Sequence, residues 1–332
     1  KLVGMGPWKI KEIVNGESIT YVPNEYYFKG TTPKTGSLKI DIVSPDTIVS
    51  EMKAGNYDIA EMPADQLDSY KDASNLNLVG SLESAYEYIS FNLGKYDEAS
   101  EKNIMDENAK MNDVKLRQAI AYAIDTKTAG EKLYNGLYHP ATSLIISFFG
   151  DLHDSEVEGY SYDPDKANEL LDEAGYKDVD GDGIREGKDG KEFKITFAAR
   201  KRTEANEALV QQYIAWWKEV GLNVELYTGR TLEINTFYDA VQANDPSIDM
   251  YAAGWSTGYA PNPNGLWGET APFNMSRFVD EKNTELLDAI GSVASFDEKT
   301  NLKNYKAWQE YAFEQAFAIP TFESEAITAL NK

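Results

Sequence analysis

Residues 38–60 have the sequence LKIDIVSPDTIVSEMKAGNYDIA. Apolar and polar residues alternate over Leu38–Val43, which predicts a β-strand. A helix is predicted from residue 45 onward, because Pro and Asp stand at its start, three apolar residues share one face, and Gly55 ends it. The short stretch Tyr57–Ala60 predicts a second strand. Two strands joined by a helix predict a parallel sheet, and therefore an α/β protein.

The rest of the chain continues to alternate between predicted strands and helices. A hairpin is predicted near the start, because residues 9–13 and 18–22 flank Asn15-Gly16, a pair typical of tight β-turns. By capping residues and apolar spacing we predict helices over 113–124, 163–174, 204–220, 232–243, 280–293 and 297–317, and strands over 86–93, 193–198, 222–227, 248–253 and 318–322. A long loop over 256–272 carries or borders three large aromatic residues, and loops longer than about 12 residues are usually functional or disordered.

Composition narrows the possible functions. A chain of 332 residues is long enough for two lobes. The net charge is −23, which argues against binding to nucleic acid or anionic lipid, because both need Lys and Arg. The sequence has no cysteine, which excludes disulfides, thiolate chemistry and cysteine-based zinc sites. It contains no run of about 18 apolar residues, so no membrane-spanning helix is predicted.

Six short segments carry a set of motifs along the whole chain. They are VGMGPWK at 3–9, NEYY at 24–27, KAGNYDI at 53–59, YISFN at 88–92, VKLRQAIAYAID at 114–125, and YDPDKA at 162–167 with GY at 175–176. Together and in this order they resemble the motifs of the peptide-type, family 5 solute-binding proteins of bacterial ABC importers. The segment at 114–125 is the most specific of the set.

This resemblance implies a two-lobed α/β fold of the periplasmic-binding-protein type (type II, peptide-binding cluster) that closes over its ligand. It assigns residues 1–83 and 312–332 to a first lobe, which is expected to be incomplete here, and residues 84–311 to a second α/β lobe. It also implies a monomer that captures oligopeptides outside the cell and passes them to permease subunits. In Gram-positive relatives a lipidated cysteine holds the protein to the outer membrane face, and the same anchor is expected here through a segment missing from this sequence.

The resemblance also implies a ligand site. The family segment Gly-Trp-x-x-Asp-Tyr, which lines the cleft and pairs with the backbone of an extended peptide, aligns with Gly254, Trp255, Ser256, Thr257, Gly258 and Tyr259. Phe91 and Asn92 match the end of a family strand and are assigned to the same site. The alternative for Trp255 is a place in the hydrophobic core.

One position departs from the family pattern. The acid that meets the ligand's amino terminus falls on Gly258, so this chain lacks that carboxylate. A ligand ammonium buried there would be unpaired unless another acid replaced it, and Asp58, Asp239 and Asp249 are the candidates. The departure favours longer peptides over short ones, and it keeps an oligosaccharide or a metal chelate open as alternative ligands.

The segment around Ser256 also fits the G-x-S-x-G pattern of an α/β hydrolase nucleophile. That arrangement needs a helix after the serine and a histidine later in the chain. Pro261 and Pro263 follow Ser256 instead, and both histidines, His139 and His153, precede it. We therefore predict a binding protein without enzymatic activity, and keep the hydrolase as the disfavoured alternative of another class.

An acidic loop has the spacing of a calcium-binding loop. Its expected oxygen ligands are Asp178, Asp180, Asp182, the backbone of Ile184, and Asp189, with Gly183 at the sharp turn. A strand is predicted after the loop, so it is not a complete EF-hand. The alternative is a solvated acidic turn. A structural calcium ion is therefore the one cofactor considered.

Overall fold

The structure is a computed structural model that describes residues 4–332, so Val3, the first residue of the motif at 3–9, lies outside the described residues. It contains strands that form three sheets. They are β1 (Trp8–Val14), β2 (Ser18–Pro23), β3 (Leu38–Asp41), β4 (Ile59–Met62), β5 (Leu76–Phe91), β6 (Gly94–Asp97), β7 (Lys102–Met105), β8 (Tyr138–Pro140), β9 (Lys194–Ala199), β10 (Asn223–Leu226), β11 (Met250–Ser256) and β12 (Ala318–Asn331).

The helices pack around these sheets. They are α1 (Pro45–Ala54), α2 (Leu67–Tyr70), α3 (Val114–Tyr122), α4 (Thr126–Leu133), α5 (Pro164–Ala174), α6 (Glu204–Glu219), α7 (Ile234–Gln242), α8 (Asn264–Trp267), α9 (Glu281–Gly291) and α10 (Glu298–Gln315). None of the helices within residues 4–332 has the length and apolar character needed to cross a membrane.

The central sheet is mixed and has seven strands in the order β10-β9-β11-β5-β12-β4, with β8 added on β12. Strand β9 pairs in parallel with β10 and β11, whereas β5 and β12 run antiparallel to their neighbours. The remaining strands form the sheet β1-β2-β3 and the pair β6-β7. The α/β class is therefore confirmed, with a sheet that is only partly parallel.

The predicted parallel strand-helix-strand unit over residues 38–60 is wrong in its pairing. Helix α1 forms as expected, because the Ser44 side chain caps the N–H of Asp46 and Gly55 ends the helix at a φ of 78°. The two flanking strands, however, lie in different sheets. Strand β3 pairs with β2, and β4 pairs antiparallel with β12, which is more than 250 positions away in sequence.

Several other local predictions are confirmed. The hairpin pairs β1 with β2 across Asn15-Gly16, and Gly16 has a φ of 76°. Helices α3 and α5 begin where Asp113 and Asp163 predicted, and α6 begins at the predicted Glu204, where the side chain of Thr203 caps it. Strand β5 is longer than predicted and reaches back to Leu76.

Two hydrophobic clusters stabilise the fold. The smaller is formed mainly by α1, α2 and β4, together with Leu76 and Ala329. The larger surrounds the rest of the central sheet and includes residues from Tyr86 to Phe322. Strands β5 and β12 contribute to both clusters, so they connect the two. The division into lobes at residues 83 and 311 stays a prediction.

Candidate functional site

One cavity lies beside strands β3 and β4 and beyond the carboxyl end of β9. It has a volume of about 660 Å³. We call it the acidic cavity because five acids line it: Asp41, Glu61, Asp65, Glu83 and Glu325. One wall is formed by residues 38–48 and 57–65, around the ends of β3 and β4; the other is formed by Tyr134, Tyr138 and residues 202–206 after β9. Ligands of α/β proteins usually bind at the carboxyl ends of strands, and this volume is typical of small-ligand sites.

Two helices begin at the wall of the acidic cavity. Pro45, the first residue of α1, and Thr203, the N-cap of α6, both line it. Thr203 caps its helix by accepting a hydrogen bond from the N–H of Asn206 at 3.3 Å. The Ser44 and Thr203 caps come three and four residues after the ends of β3 and β9.

A partly exposed ion cluster borders the acidic cavity. Glu87 on β5 accepts a hydrogen bond from Arg202 at 2.7 Å and forms an ion pair with Arg200. Arg200 also donates to the hydroxyl of Tyr238 at 3.3 Å. Desolvation alone would lower the pKa of the Arg202 guanidinium, but the facing Glu87 carboxylate, with Tyr138, holds that pKa above its ordinary value. The Arg202 guanidinium therefore stays protonated near neutral pH.

A small cavity of about 30 Å³ connects this cluster with the acidic cavity, because Tyr134, Tyr138, Arg202 and Asn206 line both. Tyr134 and Tyr138 are stacked, with ring centres 4.0 Å apart. Burial raises the pKa of both phenols, so they remain neutral hydrogen-bonding groups. The two neutral phenols and the charged Arg202 thus line both the small cavity and the acidic cavity.

A second cavity, of about 130 Å³, contains part of the predicted ligand segment. We call it the tryptophan cavity, and its lining residues are Tyr86, Leu144, Ile145, Phe149, Trp255, Ser256, Thr257, Ala260, Pro261, Asn262, Pro263, Gly265, Leu266 and Trp267. None of these described lining residues is charged. Trp255 packs against Phe273 with ring centres 5.9 Å apart, and Thr257 donates its N–H and its hydroxyl to the carbonyl of Ser84, each at 2.8 Å.

Neighbouring residues of β5 and β11 contribute to the tryptophan cavity and to the ion cluster beside the acidic cavity. Trp255 pairs with Tyr86, and the neighbouring Gly254 pairs with Glu87. Since successive residues of a strand point to opposite faces, Tyr86 and Glu87 are directed to different sides of the sheet. The predicted ligand segment therefore contributes Trp255 to one cavity, while Gly254 lies beneath the ion cluster of the other.

The other predicted ligand residues are not gathered at one place. Gly258 has a φ of 62° and open space around it, and Tyr259 is 94% exposed; neither lines a cavity described above. Phe91 is fully buried in the larger cluster, and Asn92 donates to the carbonyls of Asp245 and Ile248 at 3.3 and 3.1 Å. Phe91 pairs with Met250, at the opposite end of β11 from Ser256, about 20 Å away at the usual rise per residue.

The acids considered as replacements at Gly258 lie elsewhere. Asp249 pairs with Lys110 at 2.8 Å, and Asp58 and Asp239 are exposed. None of the three lines the acidic or the tryptophan cavity.

The acidic loop brings three of its predicted ligands together. Oxygens of Asp178, Asp180 and Asp182 all lie within 4.8 Å of one another, a spacing that one calcium ion with oxygen ligands at 2.3–2.6 Å can bridge. Asp182 also accepts the N–H of Ile184 at 2.7 Å. Asp189 is not in this group: its carboxylate accepts the Nζ of Lys191 at 2.8 Å, and this bond lowers the pKa of Asp189.

Ser256 has no hydrogen bond to a histidine among the described residues. His139 pairs with Glu325 at 3.1 Å, and Nδ1 of His153 lies 2.6 Å from the carbonyl oxygen of Ile145. The chain after Ser256 forms turns until α8 begins at Asn264. A nucleophile elbow is therefore absent from the described part of the chain.

The sequence did not indicate that Glu87, Arg200, Arg202 and the acids lining the acidic cavity belong to one site. Arg200 and Arg202 directly follow a predicted strand, and the carboxyl-end rule would have indicated them. The acids gave no such signal, because they come from segments far apart in sequence.

Comparison with known proteins gives three findings. The family model for bacterial extracellular solute-binding proteins, family 5 Middle, matches residues 1–277. The oligopeptide-binding protein OppA of Lactococcus lactis subsp. cremoris (strain SK11) is 36% identical over 333 residues, covering 98% of this chain and 55% of that protein. The chain thus spans about half the length of this curated relative.

Two solved structures extend the comparison. Lactococcal OppA, complexed with an endogenous peptide in the closed conformation, has a TM-score of 0.95 and 35% identity, over 98% of this chain and 61% of that chain. The oligopeptide-binding protein AppA from Bacillus subtilis, in complex with a nonapeptide, has a TM-score of 0.83 and 22% identity, over 98% of this chain and 62% of that chain, and shows the fold alone.

Proposed function

Because the chain belongs to the bacterial extracellular solute-binding proteins, family 5, we propose that it captures oligopeptides outside the cell for uptake by an ABC importer. The observation that carries this proposal is the cavity of about 660 Å³ between residues 38–65 and the ends of β8 and β9. The relative that is 36% identical is an oligopeptide-binding protein, and the structure with a TM-score of 0.95 holds a peptide.

The proposal extends to partners and location. The protein acts as a monomer, delivers its ligand to the permease subunits of the importer, and is held by a lipid anchor at the outer face of the cell membrane. Binding is its whole activity, with no catalytic step. The lack of a histidine bonded to Ser256 among the described residues supports this part of the proposal.

Peptide binding at the two cavities combines two kinds of contact. The tryptophan cavity offers an apolar wall with backbone groups at Ser256 and Thr257, which suits an extended main chain whose side chains vary. The acidic cavity offers charged and phenolic groups that can select among side chains.

Native mass spectrometry of the protein, expressed with its whole natural sequence, tests this function. We expect co-purified masses that fragment as peptides. Retention of an oligosaccharide or a metal chelate, with no peptide, would replace the proposed ligand class. An esterase assay on the same preparation is expected to show no turnover above the buffer rate.

We also propose that the acidic loop holds a structural calcium ion through Asp178, Asp180 and Asp182. The three carboxylates within 4.8 Å support it, since they repel one another when no cation lies between them.

A further inference from the structure

The walls of the acidic cavity carry more negative than positive charge. Asp41, Glu61, Asp65, Glu83 and Glu325 line it, whereas Lys39 and Arg202 are its basic residues. The ion cluster behind it adds Glu87 and Arg200. Counting these groups together gives a net charge of −3 around the two connected cavities.

The cations present are already paired. Lys39 lies 2.8 Å from Asp41, and this bond raises the pKa of the Lys39 ammonium. Arg202 and Arg200 share Glu87. The group of Glu87, Arg200 and Arg202 therefore keeps one excess positive charge, which the net charge of −3 already includes.

The remaining carboxylates have no fixed cation. Among the described residues no Lys or Arg lies within 4.0 Å of Glu61, Asp65 or Glu83. Glu83 accepts a hydrogen bond from the hydroxyl of Ser324, which orients the carboxylate without neutralising it. Glu325 has only His139 beside it, at 3.1 Å.

We infer that the acidic cavity selects peptides with a positively charged side chain, Lys or Arg, in the part of the ligand that it encloses. A cationic side chain there gains attraction from Glu61, Asp65 and Glu83, whereas an acidic side chain is repelled by the same groups. The inference rests on the proposed peptide binding and adds a charge preference to it. The uncharged lining of the tryptophan cavity confines this preference to one part of the peptide.

Competition among defined peptides tests the inference. The protein, with its whole natural sequence, is freed of bound ligand by unfolding and refolding. It is then offered an equimolar pool of nonapeptides that are identical except for Lys, Gln or Glu at one position, with each position varied in turn. The retained peptides are quantified by mass spectrometry at low and at high salt.

We expect Lys to be retained about fivefold over Gln at one or two adjacent positions, and Glu to be depleted there, since each partly exposed ion pair contributes a modest gain. The ratio should fall toward one in 0.5 M NaCl, because salt screens these charges. Equal retention of Lys, Gln and Glu at every position would overturn the charge preference and leave peptide capture standing. Retention of no peptide would overturn the proposed function and this inference with it.

Matched variants locate the preference. Glu61→Gln combined with Glu83→Gln should lower the Lys-to-Gln ratio, and so should Asp65→Asn alone. Glu310→Gln, on the exposed side of α10 and away from the cavity, should leave it unchanged. Melting curves check that each variant is folded. An unchanged ratio in both folded cavity variants would show that these acids do not set the preference.

Discussion

A Cβ at position 254 would lie 3.0 and 3.1 Å from the two carboxylate oxygens of Glu87, the residue opposite Gly254 on the neighbouring strand. The same Cβ would lie 3.2 Å from Arg200. The carboxylate cannot move aside freely, because Arg200 and Arg202 both hold it. A methyl group at position 254 would therefore crowd the ion cluster that borders the acidic cavity.

We therefore expect Gly254→Ala to lower the free energy of unfolding by about 1 kcal/mol or more, as overpacking usually does. Urea denaturation measures this change. Gly291→Ala is the control, because residue 291 ends α9 with nothing within 4 Å, and its effect should stay within about 0.5 kcal/mol. Equal effects of the two substitutions would show that the ion cluster tolerates a methyl group.

The two tryptophans of the tryptophan cavity should behave differently. Trp255 is only partly buried, whereas Trp267 is 2% exposed and packs against Tyr88 and Phe317. Trp255→Ala should weaken peptide binding by about tenfold or more and change stability little, as for an aromatic contact in a binding site. Trp267→Ala should lower the free energy of unfolding by about 3–5 kcal/mol.

Calorimetric titration with a peptide found by native mass spectrometry, together with urea denaturation, separates these effects. Unchanged peptide affinity in Trp255→Ala would place the ligand away from the tryptophan cavity and contradict the site inferred from the sequence.

Calcium should raise the melting temperature of the protein relative to a chelator-treated sample, because a cation bound only by the folded loop stabilises it by mass action. Asp178→Asn should abolish the rise. Asp189→Asn should leave most of it, since the Asp189 carboxylate faces Lys191 and not the other acids. Identical melting curves of the unaltered protein in chelator and in millimolar calcium would exclude the ion.

Arg117, within the segment at 114–125, is 1% exposed and donates to backbone carbonyls of Met111, Asn112 and Gln315 at 2.9, 2.7 and 2.7 Å. Burial lowers its pKa to about 10, so it stays protonated near neutral pH. Arg117→Met should cost about 3 kcal/mol or more of unfolding free energy, because it leaves several buried carbonyls without donors. Lys303→Met, at an exposed position of α10, is the control.

The sequence allowed prediction of elements whose signals are local. Three helices have a local signal at their start, because the side chains of Asp113, Asp163 and Thr203 cap them. The hairpin turn likewise has a local signal in Asn15-Gly16. Strand pairing could not be predicted in the same way, because the partner of β4 is β12, near the end of the chain.

The residues of the candidate site also fall into those with a local sequence signal and those without one. Trp255, Ser256 and Thr257 are contiguous, so a motif could indicate them. The acidic cavity assembles Asp41, Glu83 and Glu325 from distant segments, and no local pattern joins them. Glu323 is 6% exposed and accepts a hydrogen bond from the N–H of Ser147 at 3.1 Å, an interaction between residues far apart in sequence that only the folded chain creates.

Strands β5 and β12 run side by side within the central sheet and join the two hydrophobic clusters, with register shifts near Phe322 and Glu325. The two clusters are therefore linked by two strands of the chain and not by one. A single protease cut in either strand between the clusters leaves them linked by the intact strand and by the ladder of backbone hydrogen bonds. We therefore expect nicked protein to migrate as one particle in native electrophoresis and as two fragments only after denaturation.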